Sequence, residues 1–197
     1  MSGTVTTDLG LSCQPNRAGN ALVFPYVLHN RGRAAVYVMD ALPSVDPASR
    51  AARANDQAAV VMLGAKGDAV VGKFIAPLPP DRRVVLPVIP LARLLGPGEA
   101  LERRLEMPMP LAETSPYFAD LPLRGYEMVE IAGVVFTIGF WPAGAEGLAA
   151  AAVDYAPGLF AVTARDPRRT AQSVSQRFPV KGLQLFKRND NFPREGA

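Results

Sequence analysis

The chain is poor in the residues that many chemistries need. Of its 197 residues, one is histidine, one cysteine and one tryptophan. A single imidazole, His29, excludes a multi-histidine metal centre. Any serine or cysteine relay would have to use that same residue. No Gly-x-Ser-x-Gly elbow is present. One cysteine, Cys13, excludes an intrachain disulfide and a cysteine zinc knuckle, and it accords with a reducing compartment. No window approaches the roughly 18 to 20 apolar residues of a spanning helix. Met1 to Asn20 lacks a basic stretch followed by an apolar one, so no signal peptide of the usual form is expected. Leu11-Ser12-Cys13 lacks the apolar segment that a lipoprotein site would follow. The expected location is therefore cytoplasmic, with no membrane partner.

What is present is apolar and turn-rich. Apolar residues make up 49% and mean hydropathy is +0.10, enough to bury a core. Nineteen prolines and 17 glycines suit a chain that turns often between short strands. The stretch Leu22 to Asp40 holds two β-branched and aromatic runs around Asn30 and Gly32, which tolerate positive φ. It predicts a β-hairpin. Pro25, lacking an N–H, implies an edge or a bulge in its first strand. Residues 1–20 are expected to give a short first strand or a loose arm, and 43–56 a loop with one helical turn. Ala58–Leu63 and Ala69–Ile75 around Gly64-Ala65-Lys66-Gly67-Asp68 predict a second hairpin. A strand is expected over Val84–Ile89 and a helical turn over Pro90–Leu95, ended by Gly96-Pro97-Gly98.

The clearest alternation sets Leu101, Leu105, Met107, Met109 and Leu111 on one side of a strand and charged residues on the other. Arg103 falls on the apolar side. Either its head reaches water from a sheet margin or it pairs with a buried carboxylate. Ser115–Leu123 is expected to be a loop with Tyr117 and Phe118 exposed. Tyr126–Ile131 and Val134–Trp141 predict strands broken at Ala132-Gly133, the second apolar on both faces and hence central. Leu159–Ala164 and Thr170–Phe178 predict a third hairpin. Leu183–Phe186 gives a last short strand, and the tail from Asn189 is expected to be mobile. The outcome is an all-β, antiparallel β-sandwich of about ten strands with short helical turns. It is a single unit over 1–197, with one possible seam at 108–122.

Two turns carry a family likeness. Leu28-His29-Asn30-Arg31-Gly32 followed by Ala35-Val36-Tyr37-Val38 is similar to the L-x-N-x-G … V-x-V hairpin of bacterial immunoglobulin-like β-sandwich domains. Leu95-Gly96-Pro97-Gly98-Glu99 resembles their L-x-P-G-E turn. The resemblance spans about residues 18 to 106. It implies an immunoglobulin-like sandwich with a non-catalytic binding role.

The residues nominate no catalytic group, no metal site and no cofactor. Glu127 and Glu130 fall on opposite faces of a strand, a poor geometry for paired acid and base work. Gly64-Ala65-Lys66-Gly67 lacks the spacing of a phosphate loop. Asp40, Asp46 and Asp56 border one loop, where a hard cation is one reading and a polar turn the other. The expected function is a protein-interaction or structural module, with another protein or a second copy as partner. Met109, Tyr117 and Phe118 are its candidate contact surface. The alternative is a small-molecule or carbohydrate binder that stacks its ligand on Trp141, Tyr117 or Tyr126. A further alternative is weak nucleic-acid binding. From Ala161 onward eight basic residues face three acidic ones, and Arg165, Arg168, Arg169, Arg177, Lys181, Lys187 and Arg188 form the candidate basic patch.

Overall fold

The computed structural model describes residues 8–80 and 83–189, and it is all-β. Fourteen strands occur among the described residues, more than the sequence predicted. A four-stranded sheet consists of β1 (Leu9–Cys13), β2 (Asn16–Ala18), β3 (Ala21–Asn30) and β9 (Ala100–Pro108). Strand β3 is its spine. Along one edge it pairs β9, and along the other β1 and then β2. Pro25 sits at the gap between those two short strands, the place in a central strand where a missing N–H breaks no ladder. The edge or bulge expected there is replaced by this gap.

The larger sheet holds the other ten strands. They are β4 (Val36–Val45), β5 (Ala52–Asn55), β6 (Val60–Leu63), β7 (Asp68–Lys73), β8 (Leu91–Leu95), β10 (Leu111–Ala112), β11 (Tyr126–Pro142), β12 (Ala149–Ala152), β13 (Phe160–Thr163) and β14 (Gln172–Arg188). Its main order is β10-β14-β11-β4-β8-β13-β12. At 17 residues, β11 is long enough to pair β7 in parallel over Gly133–Ile138 and then β4 antiparallel over Phe140–Pro142. The break expected at Ala132-Gly133 is a bulge against β14. Gly133 makes room there, because a Cβ would lie 2.7 Å from Asp68 Oδ1 and 3.0 Å from the Phe178 carbonyl.

The two sheets face each other across one main core. Phe24 of β3 stacks on Phe136 of β11 with ring centroids 4.9 Å apart, and Tyr26 tilts against the same ring at 5.0 Å. Leu101, Leu105 and Met107 of β9 enter this core, as their alternation predicts.

Several expectations are corrected. Leu22–Asp40 is not a hairpin, because β3 and β4 belong to different sheets. The Asn30–Gly32 turn is an arch between layers. Asn30 is fully buried and donates to the carbonyls of Ala34, Leu95 and Gly96, while its own side-chain oxygen accepts from the Gly32 N–H at 3.0 Å. Its backbone bonds Glu99 O and the Gly98 N–H. The turns at Asn30–Gly32 and Leu95–Glu99 are thus one interlocked structure.

Val84–Ile89 forms no strand. Pro87 interrupts it, and Val85 and Leu86 are exposed. Leu91–Leu95 is strand β8 rather than a helical turn, because it completes the ladder beside β4. The supposed loop at 43–56 contains the end of β4 paired with β5. The third hairpin does not form. Strand β13 pairs β12 and β8, while β14 runs along β11 and absorbs the expected last strand. Within the 108–122 stretch, β10 joins β14 and Thr114 bridges to Val61. Of the expected mobile tail, the Asn189 N–H donates to Gly125 O, and the remainder lies outside the described residues, as do residues 1–7 of the expected arm.

Candidate functional site

Among the described residues, strand β9 has a ladder partner on one side only. Its outward backbone groups belong to the even-numbered residues, since the N–H and C=O of one strand residue share a direction. Side chains meet some of them. Arg104 O accepts from Gln57 Nε2 at 3.2 Å, and the Glu106 N–H donates to Gln57 Oε1 at 3.3 Å. One amide side chain therefore stands where a neighbouring strand would offer a peptide group. Gln57 is held there by Asn55, whose Oδ1 accepts from the N–H groups of Gln57 and Ala58, each at 3.0 Å. The Glu102 carbonyl accepts from Arg103 Nη1 at 2.9 Å. Exposed Glu102, Arg104 and Glu106 line this strand's outer face, with alternating charge that guards an edge against indiscriminate pairing.

Behind this edge lies a cluster of charge. Arg103 grips Asp40 with two bonds of 2.9 Å, from Nε to Oδ1 and from Nη2 to Oδ2. Arg93 of β8 adds a third at 2.9 Å. Lys73, at the end of β7, is 1% exposed; it donates to the Asp40 backbone carbonyl and lies 3.8 Å from Oδ1. A register shift in β4 between Met39 and Ala41 accommodates the buried Asp40. Burial pushes its carboxyl up, but hydrogen bonds from Arg103 and Arg93 and the charge of Lys73 outweigh it and hold the group below the usual carboxylate value. Burial drives the Lys73 amine below its ordinary value, against the pull of Asp40. Burial and then the Asp40 charge push the Tyr26 phenol upward. Arg103 comes from the small sheet and the other three from the large one, so the cluster clasps the layers and fixes the plane of β9. Arg103 thus takes the second of its two readings.

The predicted contact residues do not form one surface. Met109 is half-buried against the main core. Tyr117 and Phe118 are half-buried rather than exposed. The Tyr117 hydroxyl accepts from the Val88 N–H at 3.1 Å, and the Arg188 guanidinium lies 4.7 Å from the Phe118 ring centre. The Tyr126 hydroxyl accepts from the Leu121 N–H at 3.3 Å. Trp141 is fully buried and gives its indole N–H to Pro167 O at 3.1 Å, so its ring offers no stacking face to a ligand in solvent. It sits near the far end of β11 from Tyr126.

The basic residues are likewise dispersed. Arg177 is bound to buried Asp68 at 2.8 and 2.9 Å, and these bonds lower the Asp68 carboxyl and raise the guanidinium. Arg165, Arg168 and Arg169 precede β14, Lys181 lies within it, and Lys187 and Arg188 end it. A 17-residue strand spans about 3.3 Å per residue, too long for one patch. Asp40, Asp46 and Asp56 do not assemble as ligands. Asp46 accepts from the Ser49 N–H and hydroxyl and pairs with Arg53. Among the described residues no three acidic, histidine or cysteine side chains form a metal-binding group, and no helix is long and apolar enough to cross a membrane.

Sequence reasoning missed Gln57, Asp40 as an ion-pair centre, Lys73 and Arg93. The available signal was charge inside apolar runs, with Asp40 after Val36–Met39 and Lys73 between Gly72 and Phe74.

The described surface also carries two concavities. One, of about 450 Å³, opens between the layers beside Cys13 and Gln176. Burial pushes the Cys13 thiol up to about 12, which keeps it protonated and unreactive near neutral pH. The other, of about 670 Å³, lies where β11 and β14 meet the four-residue helix α1 (Pro167–Thr170). No protein-family model matches the chain, and neither does any curated protein or solved structure.

Proposed function

We propose that this chain is a protein-interaction module of the immunoglobulin-like β-sandwich type, taking a strand of another protein or of a second copy along β9. The observation that carries this reading is the Gln57 amide, which takes the place of a strand's peptide group on an edge that has no ladder partner among the described residues. A partner strand supplies the same donor and acceptor repeatedly, so it gains ladder bonds while displacing one side chain. The alternating Glu102, Arg104 and Glu106 face selects a strand with the opposite charge pattern.

The sandwich type is supported by strand order. Strands β1-β3-β9 and β14-β11-β4 follow the A-B-E and G-F-C neighbours of immunoglobulin domains. On that correspondence the Phe24–Phe136 stack joins the counterparts of strands B and F, the strands a disulfide links in antibody domains.

The test is capture of the tagged chain from its host, followed by amide hydrogen exchange of the complex. The Glu102 and Arg104 amides should exchange more slowly in the complex than in the free chain. Protection confined to other strands would defeat the reading.

A further inference from the structure

The 670 Å³ groove is built differently from the β9 edge and makes a separate case. Its size falls in the range of small-ligand sites. Met39, Phe74, Ile75 and Ala171 form an apolar wall, and Arg168 and Arg169 line the same concavity.

These two arginines stand on a fixed platform. Asp166 caps α1 by accepting from the Arg169 N–H at 3.1 Å, and the Thr170 hydroxyl donates to Asp166 O at 2.9 Å. The fully buried Trp141 ties Pro167 down from below. Among the described residues neither Arg168 nor Arg169 has an acidic partner, whereas Arg93, Arg103 and Arg177 are each bound to a carboxylate. Asp166 is the acidic residue lining the groove, and its Oδ1 is engaged by the α1 backbone. The groove therefore keeps a positive excess beside an apolar wall.

We infer that this groove binds an aliphatic carboxylate, the head held by Arg168 and Arg169 and the chain laid on Met39, Phe74, Ile75 and Ala171. Guanidinium groups match carboxylates through paired N–H donors, and desolvation by the wall strengthens that contact. The same chemistry is offered by a free fatty acid and by the apolar C-terminal residue of a peptide.

Equilibrium dialysis of radiolabelled octanoate and of radiolabelled N-acetyl-dileucine tests this directly. At least one of them should saturate at one site per chain, and the tighter identifies the source. Unlabelled octanol and acetate, each lacking half of the match, should displace it poorly. The double variant Arg168→Gln, Arg169→Gln should weaken binding at least tenfold with an unchanged melting temperature, while Lys187→Gln should bind as wild type. Saturation by neither probe, equal displacement by octanol, or undiminished binding by the double variant would overturn the inference.

Discussion

Arginine occurs here in two conditions. Around Asp40, Arg93 and Arg103 share one carboxylate with Lys73 and join the sheets. At the α1 groove, Arg168 and Arg169 have no acidic partner among the described residues. The difference is that buried Asp40 neutralises the first set, whereas the second faces a groove with a positive excess. Composition cannot make that distinction, since a guanidinium counts the same in either place.

The comparison breaks first at Asp40. Asp40→Ala leaves three cations facing one another without their anion, and it should cost about 3–5 kcal/mol in denaturant unfolding. A loss no larger than that of a surface substitution would show that the cluster is not the clasp. Acid should act in the same direction. The Asp40 and Asp68 carboxyls lie below their ordinary values in the folded chain. Their contribution is complete above the unfolded value of about 3.9 and is lost as pH falls through the lower folded one. A pH titration of unfolding should therefore be steep on the acid side, and shallower for Asp40→Asn.

Lys73 sharpens the comparison from within the cluster. It is buried at a desolvation cost, and Asp40 keeps two arginines without it. Lys73→Met removes that desolvation cost but takes the donor from the Asp40 backbone carbonyl, so it should cost about 1–2 kcal/mol, less than Asp40→Ala, by the same unfolding measurement. The smallest effect belongs to the groove. Arg168→Gln with Arg169→Gln should leave stability within about 0.5 kcal/mol of wild type in a thermal melt. A larger loss would mean that these arginines hold the fold after all.

Local pattern was legible in the sequence where a single strand or turn decided it. The alternation from Leu101 to Met107, the hairpin around Gly64–Asp68 and the irregularity at Gly133 all come from side-chain period and backbone freedom. What was not legible is which strands are neighbours. Asn30 and Gly32 serve a hairpin or an arch equally well, and only the carbonyls of Leu95 and Gly96, some 65 residues away, decide between them. Leu91–Leu95 is apolar enough for either a helical turn or a strand, and the ladder beside β4 settles it.

The same limit governed the site. Arg103 was visible as an oddity on an apolar face, but its partner Asp40 lies 63 residues earlier in another sheet. Trp141 looked like a stacking face because an aromatic residue reads alike in a core and at a binding site. Gln57 carried no pattern at all. Its meaning comes from two backbone groups on β9.

The most direct measurement compares wild type with Arg104→Pro by light scattering after native purification. Proline removes an outward N–H that no bond of the β3–β9 ladder uses, and edge strands tolerate it. Wild type should carry a stoichiometric partner, or a second copy, and the variant should run as the bare monomer with the same melting temperature. A variant that keeps the partner, or a wild type that has none, would contradict the reading of β9 as a strand-accepting edge.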